Sequence, residues 1–171
     1  PNINILTPSD KQELTIQLQE AISIDTPSYM RIGKKGEPLL FNEKDHILGI
    51  AKGNILKEGE DVLVLGIGPI INEGLNAAKE LTDEGISVNV ASLGSVRPLD
   101  EEFLRKMVKR KFKTWVTLEE HGIIGGLGST ILEWLLDNNL LDSVKLKRIA
   151  IQNEFIHELG NQHFVRNKLK I

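Results

Sequence analysis

The chain has 171 residues, of which 40% are hydrophobic and 26% charged, a balance typical of a globular protein with a sizeable apolar core. Its formal net charge of −3 lacks the basic surplus that a nucleic-acid backbone requires, and no apolar run is as long as a membrane span. We therefore expect neither nucleic acid nor membrane as a partner. The absence of cysteine excludes disulfides, zinc–thiolate sites, iron–sulfur clusters and cysteine nucleophiles. The first residue is Pro1, which indicates a processed start or a piece of a longer polypeptide.

The N-terminal part of the chain predicts a β-α-β unit. The elements in chain order are a strand at 4–7, a helix from Asp10 to about Ile24 and a strand at 28–32. Five apolar residues recur on one face of that helix: Leu14, Ile16, Leu18, Ala21 and Ile22. Residues 39–59 form a linker with a short strand near Ile47–Ile50. Because a lone β-α-β unit cannot bury its own sheet, we interpret residues 1–45 as the tail of another domain, followed by a linker at 46–60.

From Asp61 onward, strands and helices alternate. Strands are predicted at 62–65, 88–91, 115–118 and 144–150, and helices at 70–83, at 98–111, after Ser129 and at 162–168. The helix after Ser129 is expected to face inward with Ile131, Leu132, Leu135 and Leu136. Right-handed crossovers between such strands place helices on both faces of a parallel sheet. The fold class is therefore α/β, with a three-layer, doubly wound and mostly parallel sheet over residues 61–171.

Two glycine-rich turns lie between a predicted strand and a predicted helix. Gly66-Ile67-Gly68 lacks the third glycine of a dinucleotide-binding fingerprint, because Ile71 takes its place, so a tight turn is favoured. The run from Gly125 to Gly128 could direct backbone amides at an anion, or could allow two stretches of backbone to pass closely. The residues alone leave both interpretations of this run open.

Polar residues follow the predicted strand at 115–118. Glu119, Glu120 and His121 come at its carboxyl end, where open α/β sheets place ligands. His121 is suited to act as an acid, a base or a hydrogen-bond donor near neutral pH. Either glutamate could instead cap the following turn.

A small basic group of Arg31, Lys34 and Lys35 lies at the end of the strand at 28–32. Such a group is usually solvated surface, although a sugar phosphate or a diphosphate needs the same charges. The chain has neither a G-x-S-x-G elbow nor a Walker sequence, which excludes serine-hydrolase and P-loop chemistry.

Four segments follow one another in a specific order and spacing. They read D-V-L-V-L-G-I-G at 61–68, G-I-S-V-N-V at 85–90, V-R-P-L-D at 96–100 and T-L-E-E-H-G-I-I-G-G-L-G at 117–128. In this order they resemble the C-terminal domain of transketolases. The same domain occurs in 1-deoxyxylulose-5-phosphate synthases and in the β subunits of 2-oxoacid dehydrogenases. The segments at 1–10 and 27–33 are similar to the end of the pyrimidine-binding domain of this family.

The resemblance implies a thiamine-diphosphate-dependent enzyme that moves two-carbon ketol units between sugar phosphates. It implies that thiamine diphosphate and Mg²⁺ are bound outside this chain, in upstream domains that are fused to it or on a separate chain. The chain itself then holds no cofactor-binding, metal-binding or main catalytic residue. A homodimer and a cytoplasmic location are also implied.

The expected substrate-binding residues are Lys34, Arg31 and His121. Tyr29, Arg31 and Lys34 match a family pattern, Y-x-R-x-x-R, whose second basic residue grips the substrate phosphate. We expect Lys34 to take that role and Arg31 to pair with a neighbouring acid. The E-E-H loop of the family lies near the outer part of the active-site funnel, so His121 is expected to be a peripheral contributor.

Our favoured hypothesis is the C-terminal part of a transketolase, inactive alone and serving dimer and interdomain contacts. The alternatives are a part of a 1-deoxyxylulose-5-phosphate synthase or of a 2-oxoacid dehydrogenase β subunit, and a stand-alone regulatory module that binds an anion at Gly125 to Gly128. The apolar surface expected at a dimer interface comprises Trp134, Leu135, Leu136, Leu140 and Leu141. In a competing interpretation, Trp134 and Leu140 fill a corner of the core.

Overall fold

The computed structural model describes residues 2–33, 36–42, 46–157 and 159–171. Its elements are β1 (Asn4–Leu6), α1 (Lys11–Ser23), β2 (Ser28–Met30), β3 (Asn54–Lys57), β4 (Val62–Gly66), α2 (Ile71–Asp83), β5 (Val88–Ser92), β6 (Ser95–Arg97), α3 (Glu101–Lys109), β7 (Thr114–Gly122), α4 (Leu127–Asp137), β8 (Leu146–Ile151) and α5 (Gln162–Leu169). A short 3₁₀ turn at Leu141–Ser143 follows α4.

A five-stranded sheet in the order β3-β5-β4-β7-β8 forms the centre of the fold. Strands β5, β4, β7 and β8 are parallel, whereas β3 pairs antiparallel with β5 at one edge. Leu63 and Leu65 of β4 pack on one face in a cluster with α3 and α4, and Val62 and Val64 pack on the other face with α2. Successive residues of β4 thus reach opposite helical layers, and the predicted doubly wound, three-layer α/β fold is confirmed.

A second, three-stranded sheet has the order β2-β1-β6. Strands β1 and β2 are parallel, as the predicted β-α-β unit requires, and β6 pairs antiparallel with β1. The sequence did not predict β6, which spans only Ser95–Arg97 and has no apolar alternation. This strand joins the N-terminal unit to the later part of the chain.

The strand that precedes β4 lies later than predicted. Residues 47–50 contain no strand, and β3 begins only at Asn54. Ala51 has a φ of 55°, which is incompatible with extended structure. Asn54 then accepts a hydrogen bond from the backbone N–H of Ile47 and donates one to its carbonyl, both at 3.0 Å, which keeps the preceding segment folded back.

Helix α1 buries its polar side. Glu13 and Gln17 are fully buried, whereas Ile22, on the apolar face noted in the sequence, is 77% exposed. The reason is local, because α1 packs against polar backbone around Gly94 in the turn between β5 and β6. Of the apolar face noted in the sequence, Leu18 and Ile22 are exposed and Leu14, Ile16 and Ala21 are half-buried.

Helix α4 confirms half of its predicted inward face. Ile131 and Leu135 are buried, together with Trp134, whereas Leu132 and Leu136 are exposed. Trp134 belongs to the main core cluster and Leu140 packs against it, as in the core-corner interpretation. Trp134, Leu135 and Leu140 are thus removed from the predicted interface surface, of which the exposed Leu136 and Leu141 remain. Among the described residues, no helix combines the length and apolar character needed to cross a bilayer.

Candidate functional site

The direction of the crossovers reverses next to β4. From β4 the chain passes through α2 on one face of the sheet to β5, and later through α3, on the other face, to β7. In open α/β sheets such a reversal leaves a crevice beyond the carboxyl ends of the strands, and ligands bind there. The loop at Ile67–Gly68 after β4 and the segment Glu119–His121 at the end of β7 border this crevice.

Two adjoining cavities, of about 290 and 260 Å³, open at this crevice. Both are lined by Thr7, Arg31 and Ile67. Glu120 completes the first cavity and His121 the second. The N-terminal unit therefore supplies one side of the site and the five-stranded domain the other. A mixed apolar and polar lining of this kind is usual for a small-molecule site.

Backbone hydrogen bonds fix the side that the N-terminal unit supplies. The N–H of Thr7 donates to the Gly94 carbonyl at 2.8 Å, and the N–H of Gly68 donates to the Thr7 carbonyl at 2.9 Å. The N–H of Arg31 donates to the Leu6 carbonyl at 2.8 Å, just beyond the end of β2. The hydroxyl of Thr7 is buried without a hydrogen-bond partner in the described chain.

Arg31 lies at the site with no acid paired to it among the described residues. Its side chain is exposed and forms no ion pair with any of them, and the expected pairing with a neighbouring acid stays a prediction. An unpaired guanidinium keeps all its donors for an anion, and carboxylates and phosphates fit its planar fork. Lys34 lies outside the described residues.

His121 lies near the end of β7, exposed, and lines the same cavity as Arg31. Its Nδ1 is 3.0 Å from the carbonyl oxygen of Gly122. A neutral ring that donates from Nδ1 leaves Nε2 as an acceptor. Two of the three predicted substrate-binding residues are thus brought together by the fold.

Glu119 is a helix cap. Its carboxylate is buried and accepts hydrogen bonds from the N–H groups of Leu127 at 2.7 Å and Gly128 at 2.8 Å, at the start of α4. A Cβ atom on Gly126 would collide with Glu119 Oε2, so only glycine allows this approach. The amides that were candidates for an external anion are therefore already occupied, which argues against the anion-binding interpretation of this glycine run.

Glu120 connects the site to the C-terminal helix. It accepts hydrogen bonds from Arg166 Nη2 at 3.0 Å, Arg166 Nε at 3.2 Å and Gln162 Nε2 at 2.8 Å. Arg166 also lies 3.4 Å from Glu73 of α2. This network was missed in the sequence because its members are up to 93 residues apart. Through it, Gln162 of α5 lines the larger cavity.

The described residues hold no group of three or more histidine, aspartate or glutamate side chains that could ligate a metal ion. Mg²⁺ needs oxygen ligands in near-octahedral geometry, and nothing in the two cavities offers such a set. The described part of the chain therefore offers no ligand set for the Mg²⁺ that the family resemblance implies in other domains.

The profile of the transketolase C-terminal domain matches residues 51–162. The chain belongs to the transketolase C-terminal domain family. The match covers the five-stranded domain, the β7 end with His121 and the start of α5. The N-terminal β-α-β unit, which carries Thr7 and Arg31, precedes it.

Relatives of this transketolase-type chain include synthases and transketolase sections. It is 34% identical over 159 residues to a 1-deoxy-D-xylulose-5-phosphate synthase of Syntrophus aciditrophicus, a match that covers 92% of this chain and 24% of the synthase. It is 32% identical over 156 residues to a putative transketolase C-terminal section of Methanocaldococcus jannaschii, covering 91% of this chain and 48% of that protein. The chain thus spans a quarter to a half of the length of these relatives.

Solved structures agree with this family. The inactive beta4 tetramer of a split-gene transketolase superposes with a TM-score of 0.84 at 30% identity, covering 99% of this chain and 52% of that one. The transketolase of Campylobacter jejuni superposes with a TM-score of 0.59 at 19% identity, over 99% of this chain and 24% of that one, which supports the fold alone.

Proposed function

We propose that this chain forms the substrate-facing C-terminal part of a transketolase that moves two-carbon ketol units between sugar phosphates. The observation that carries the proposal is that Arg31, which pairs with no described acid, and the exposed His121 line one cavity at the reversal point of the sheet in a transketolase C-terminal domain chain. Fold alone does not define an activity. A cation and an imidazole that face one cavity favour binding of an anionic group next to a residue that can form hydrogen bonds or move a proton.

In this proposal each residue has a separate task. The guanidinium of Arg31 binds the substrate phosphate through paired N–H donors, and His121 forms hydrogen bonds with a sugar hydroxyl or moves a proton there. The apolar Ile67 excludes water beside them. Thiamine diphosphate, when bound with Mg²⁺ by upstream domains, would supply the electron sink. We therefore expect this chain to be inactive alone.

Kinetics of the complete enzyme, assembled from this chain and the cofactor-binding domains, tests the assignment. Arg31→Ala should raise KM for a phosphorylated acceptor about tenfold or more, since a hydrogen bond to a charged group contributes about 1.5–3 kcal/mol. KM for an unphosphorylated acceptor should change little. Arg105→Ala, on the exposed side of α3, is the matched control. An unchanged KM in Arg31→Ala would place the phosphate elsewhere.

The expected role of Lys34 in phosphate binding is tested by the same measurement. Lys34→Ala should also raise KM for phosphorylated sugars about tenfold, because a lysine contributes a point charge to phosphate binding. Ketol transfer by the isolated chain, supplied with thiamine diphosphate and Mg²⁺, would contradict the proposed division of labour between this chain and the upstream domains.

A second candidate is a 1-deoxy-D-xylulose-5-phosphate synthase, favoured by relatives of that name at 34% and 37% identity. The two candidates differ in product, so the complete enzyme is assayed for 1-deoxy-D-xylulose 5-phosphate and for ketol transfer between sugar phosphates. A 2-oxoacid dehydrogenase β subunit is the third possibility within the resemblance. A cytoplasmic location stays a prediction.

We also propose that the chain self-associates as a homodimer. Leu132 and Leu136 lie one turn apart on the outer face of α4, and the exposed Leu141 follows them. The related split-gene transketolase forms a beta4 tetramer. Light scattering should detect a dimer that Leu136→Glu converts to a monomer. A wild-type monomer at tens of micromolar would contradict self-association.

A further inference from the structure

The surface between α1 and the β5–β6 turn contains a fully buried carboxyl group that the proposed reaction does not use. Glu13 and Gln17 are one helical turn apart and both are inaccessible to solvent. Both face Gly94, since a Cβ atom on that glycine would contact Glu13 Oε1 and would lie 2.7 Å from Gln17 Nε2. We call Glu13, Gln17 and Gly94 the α1 junction.

Only part of the hydrogen-bonding capacity of this junction is satisfied. Glu13 Oε2 accepts from the N–H of Ser9 at 2.6 Å, and Gln17 Nε2 donates to the Gly94 carbonyl at 3.0 Å. Glu13 Oε1 and Gln17 Oε1 are buried and have no partner among the described residues. Two acceptors buried without a donor are costly, and one proton on Glu13 would remove the cost by turning one acceptor into a donor.

The charges around Glu13 favour that proton. The pKa of Glu13 is raised to about 8, mainly by burial and to a smaller extent by the nearby Asp10, with the lowering effect of the Ser9 N–H already included. On α1 the other carboxylate is Glu20, which accepts from the N–H of Ile50 at 2.6 Å. The groups described opposite α1 at the end of β5 and in the β5–β6 turn are neutral, the Ser92 hydroxyl and the Gly94 carbonyl, and no described cation pairs with Glu13.

Hydrogen bonds connect the α1 junction to the candidate site. The Gly94 carbonyl that accepts from Gln17 also accepts from the N–H of Thr7, at 2.8 Å. The next link is the Leu6 carbonyl, which accepts from the N–H of Arg31 at 2.8 Å. These hydrogen bonds connect α1, through Gly94 and the end of β1, to the strand end that holds Arg31.

We propose that Glu13 is a positioning residue whose protonated carboxyl donates to Gln17, docks α1 on Gly94 and thereby holds Thr7 and Arg31 opposite His121. The positioning part rests on the proposed function of Arg31, whereas the docking part does not. A carboxyl that is protonated when docked and ionised when undocked makes docking weaker as pH rises from about 4.5 towards 8, by close to tenfold per pH unit, and constant above that.

Hydrogen exchange of the full chain tests docking without substrate. After correction for intrinsic exchange, protection of the α1 amides should fall by close to tenfold per unit between pH 6 and pH 7.5 in the wild type and stay constant in Glu13→Gln, which donates and accepts without ionising. Glu20→Gln, on the same helix, should keep the wild-type dependence. Equal pH dependence in Glu13→Gln and wild type would overturn the proposal.

A measurement on the wild type alone covers the case in which Glu13→Gln fails to fold. Titration of ¹³C-labelled glutamate carboxyl groups by NMR should show one carboxyl that still binds its proton at neutral pH. Titration of every glutamate near its ordinary value would overturn the docking proposal.

The positioning part has its own readout in the complete enzyme. In the wild type, KM for a phosphorylated acceptor should rise severalfold from pH 6.5 to pH 8 while kcat changes little, and Glu13→Gln should flatten the KM profile. If KM of the wild type does not depend on pH while exchange of the α1 amides does, the positioning part of the proposal is overturned and the docking part is retained. Absence of all activity contradicts the proposed function and leaves the exchange result to decide docking.

Discussion

Arg166 is a buried cation that connects α5 to the rest of the fold, and its substitution tests how α5 is held. The side chain of Arg166 is 9% exposed, and its partners Glu120 and Glu73 are 20% and 37% exposed. We consider Arg166→Met, which keeps much of the aliphatic volume and removes the charge together with all three contacts.

The expected loss follows from the desolvation of the partners. Removing one member of a buried ion pair costs about 3–5 kcal/mol when the other charge stays buried. Here water reaches both carboxylates once Arg166 is gone, so we expect a loss at or below the lower end of that range, about 2–3 kcal/mol. An eight-residue helix such as α5 is marginal without tertiary contacts. The loss should therefore appear as local opening of α5 before global unfolding.

Hydrogen exchange resolves local opening from global loss. Amides of residues 162–169 should lose protection in Arg166→Met, while the amides of β4 and β7 keep theirs. The matched control is Arg105→Met on α3, where Arg105 is 52% exposed and pairs at the surface, a contact worth less than about 1 kcal/mol. If the α5 amides are equally protected from exchange in Arg166→Met and in Arg105→Met, the buried ion pair does not hold the helix.

Three further substitutions test individual contacts by urea unfolding at pH 7. Glu119→Gln should lower the free energy of unfolding by about 1–3 kcal/mol, because the two N–H donors bond different carboxylate oxygens and glutamine replaces one of these with an NH₂ group that cannot accept; a loss below about 0.5 kcal/mol, roughly the error of the method, would contradict the cap. Ile131→Ala should cost about 2–5 kcal/mol, since the side chain is fully buried, whereas Glu133→Ala, exposed on the same helix, should stay within about 0.5 kcal/mol; similar losses at both would contradict the assigned face of α4. Asp100→Ala should cost about 1–2 kcal/mol because it removes the N-cap of α3, and Asp100→Asn should restore much of the loss.

The elements that have a clear hydrophobic pattern of their own could be predicted from the sequence. Strand β4 is a continuous apolar run and α2 has an apolar stripe, and each of these patterns identifies its element without further information. Strand β6 is different, because its three residues form a strand only by pairing with β1, roughly 90 residues earlier in the chain. The side that α1 buries was likewise decided by its neighbour, the turn at Gly94, and not by its own hydrophobic pattern.

The candidate site could be predicted residue by residue but not as an arrangement. The position of His121 after a parallel strand indicated a ligand-binding edge, and the structure places it at the cavity. That Arg31 lies at the same cavity depends on the β1–β6 pairing, which no local pattern encodes. The role of Glu119 was open between cap and ligand, because only its hydrogen bonds with the Leu127 and Gly128 amides, which the sequence does not show, distinguish the two.

Strands of the two sheets alternate along the chain, which limits where this polypeptide could be divided. The domain predicted from Asp61 onward begins after β3, and β3 covers the edge of β5. The predicted domain also excludes β1, which pairs with β6. A truncation at residue 61 would therefore expose two strand edges at once, and unpaired edges are templates for aggregation. A gene fusion or a recombinant fragment that keeps this domain soluble has to retain the strands of residues 4–6 and 54–57.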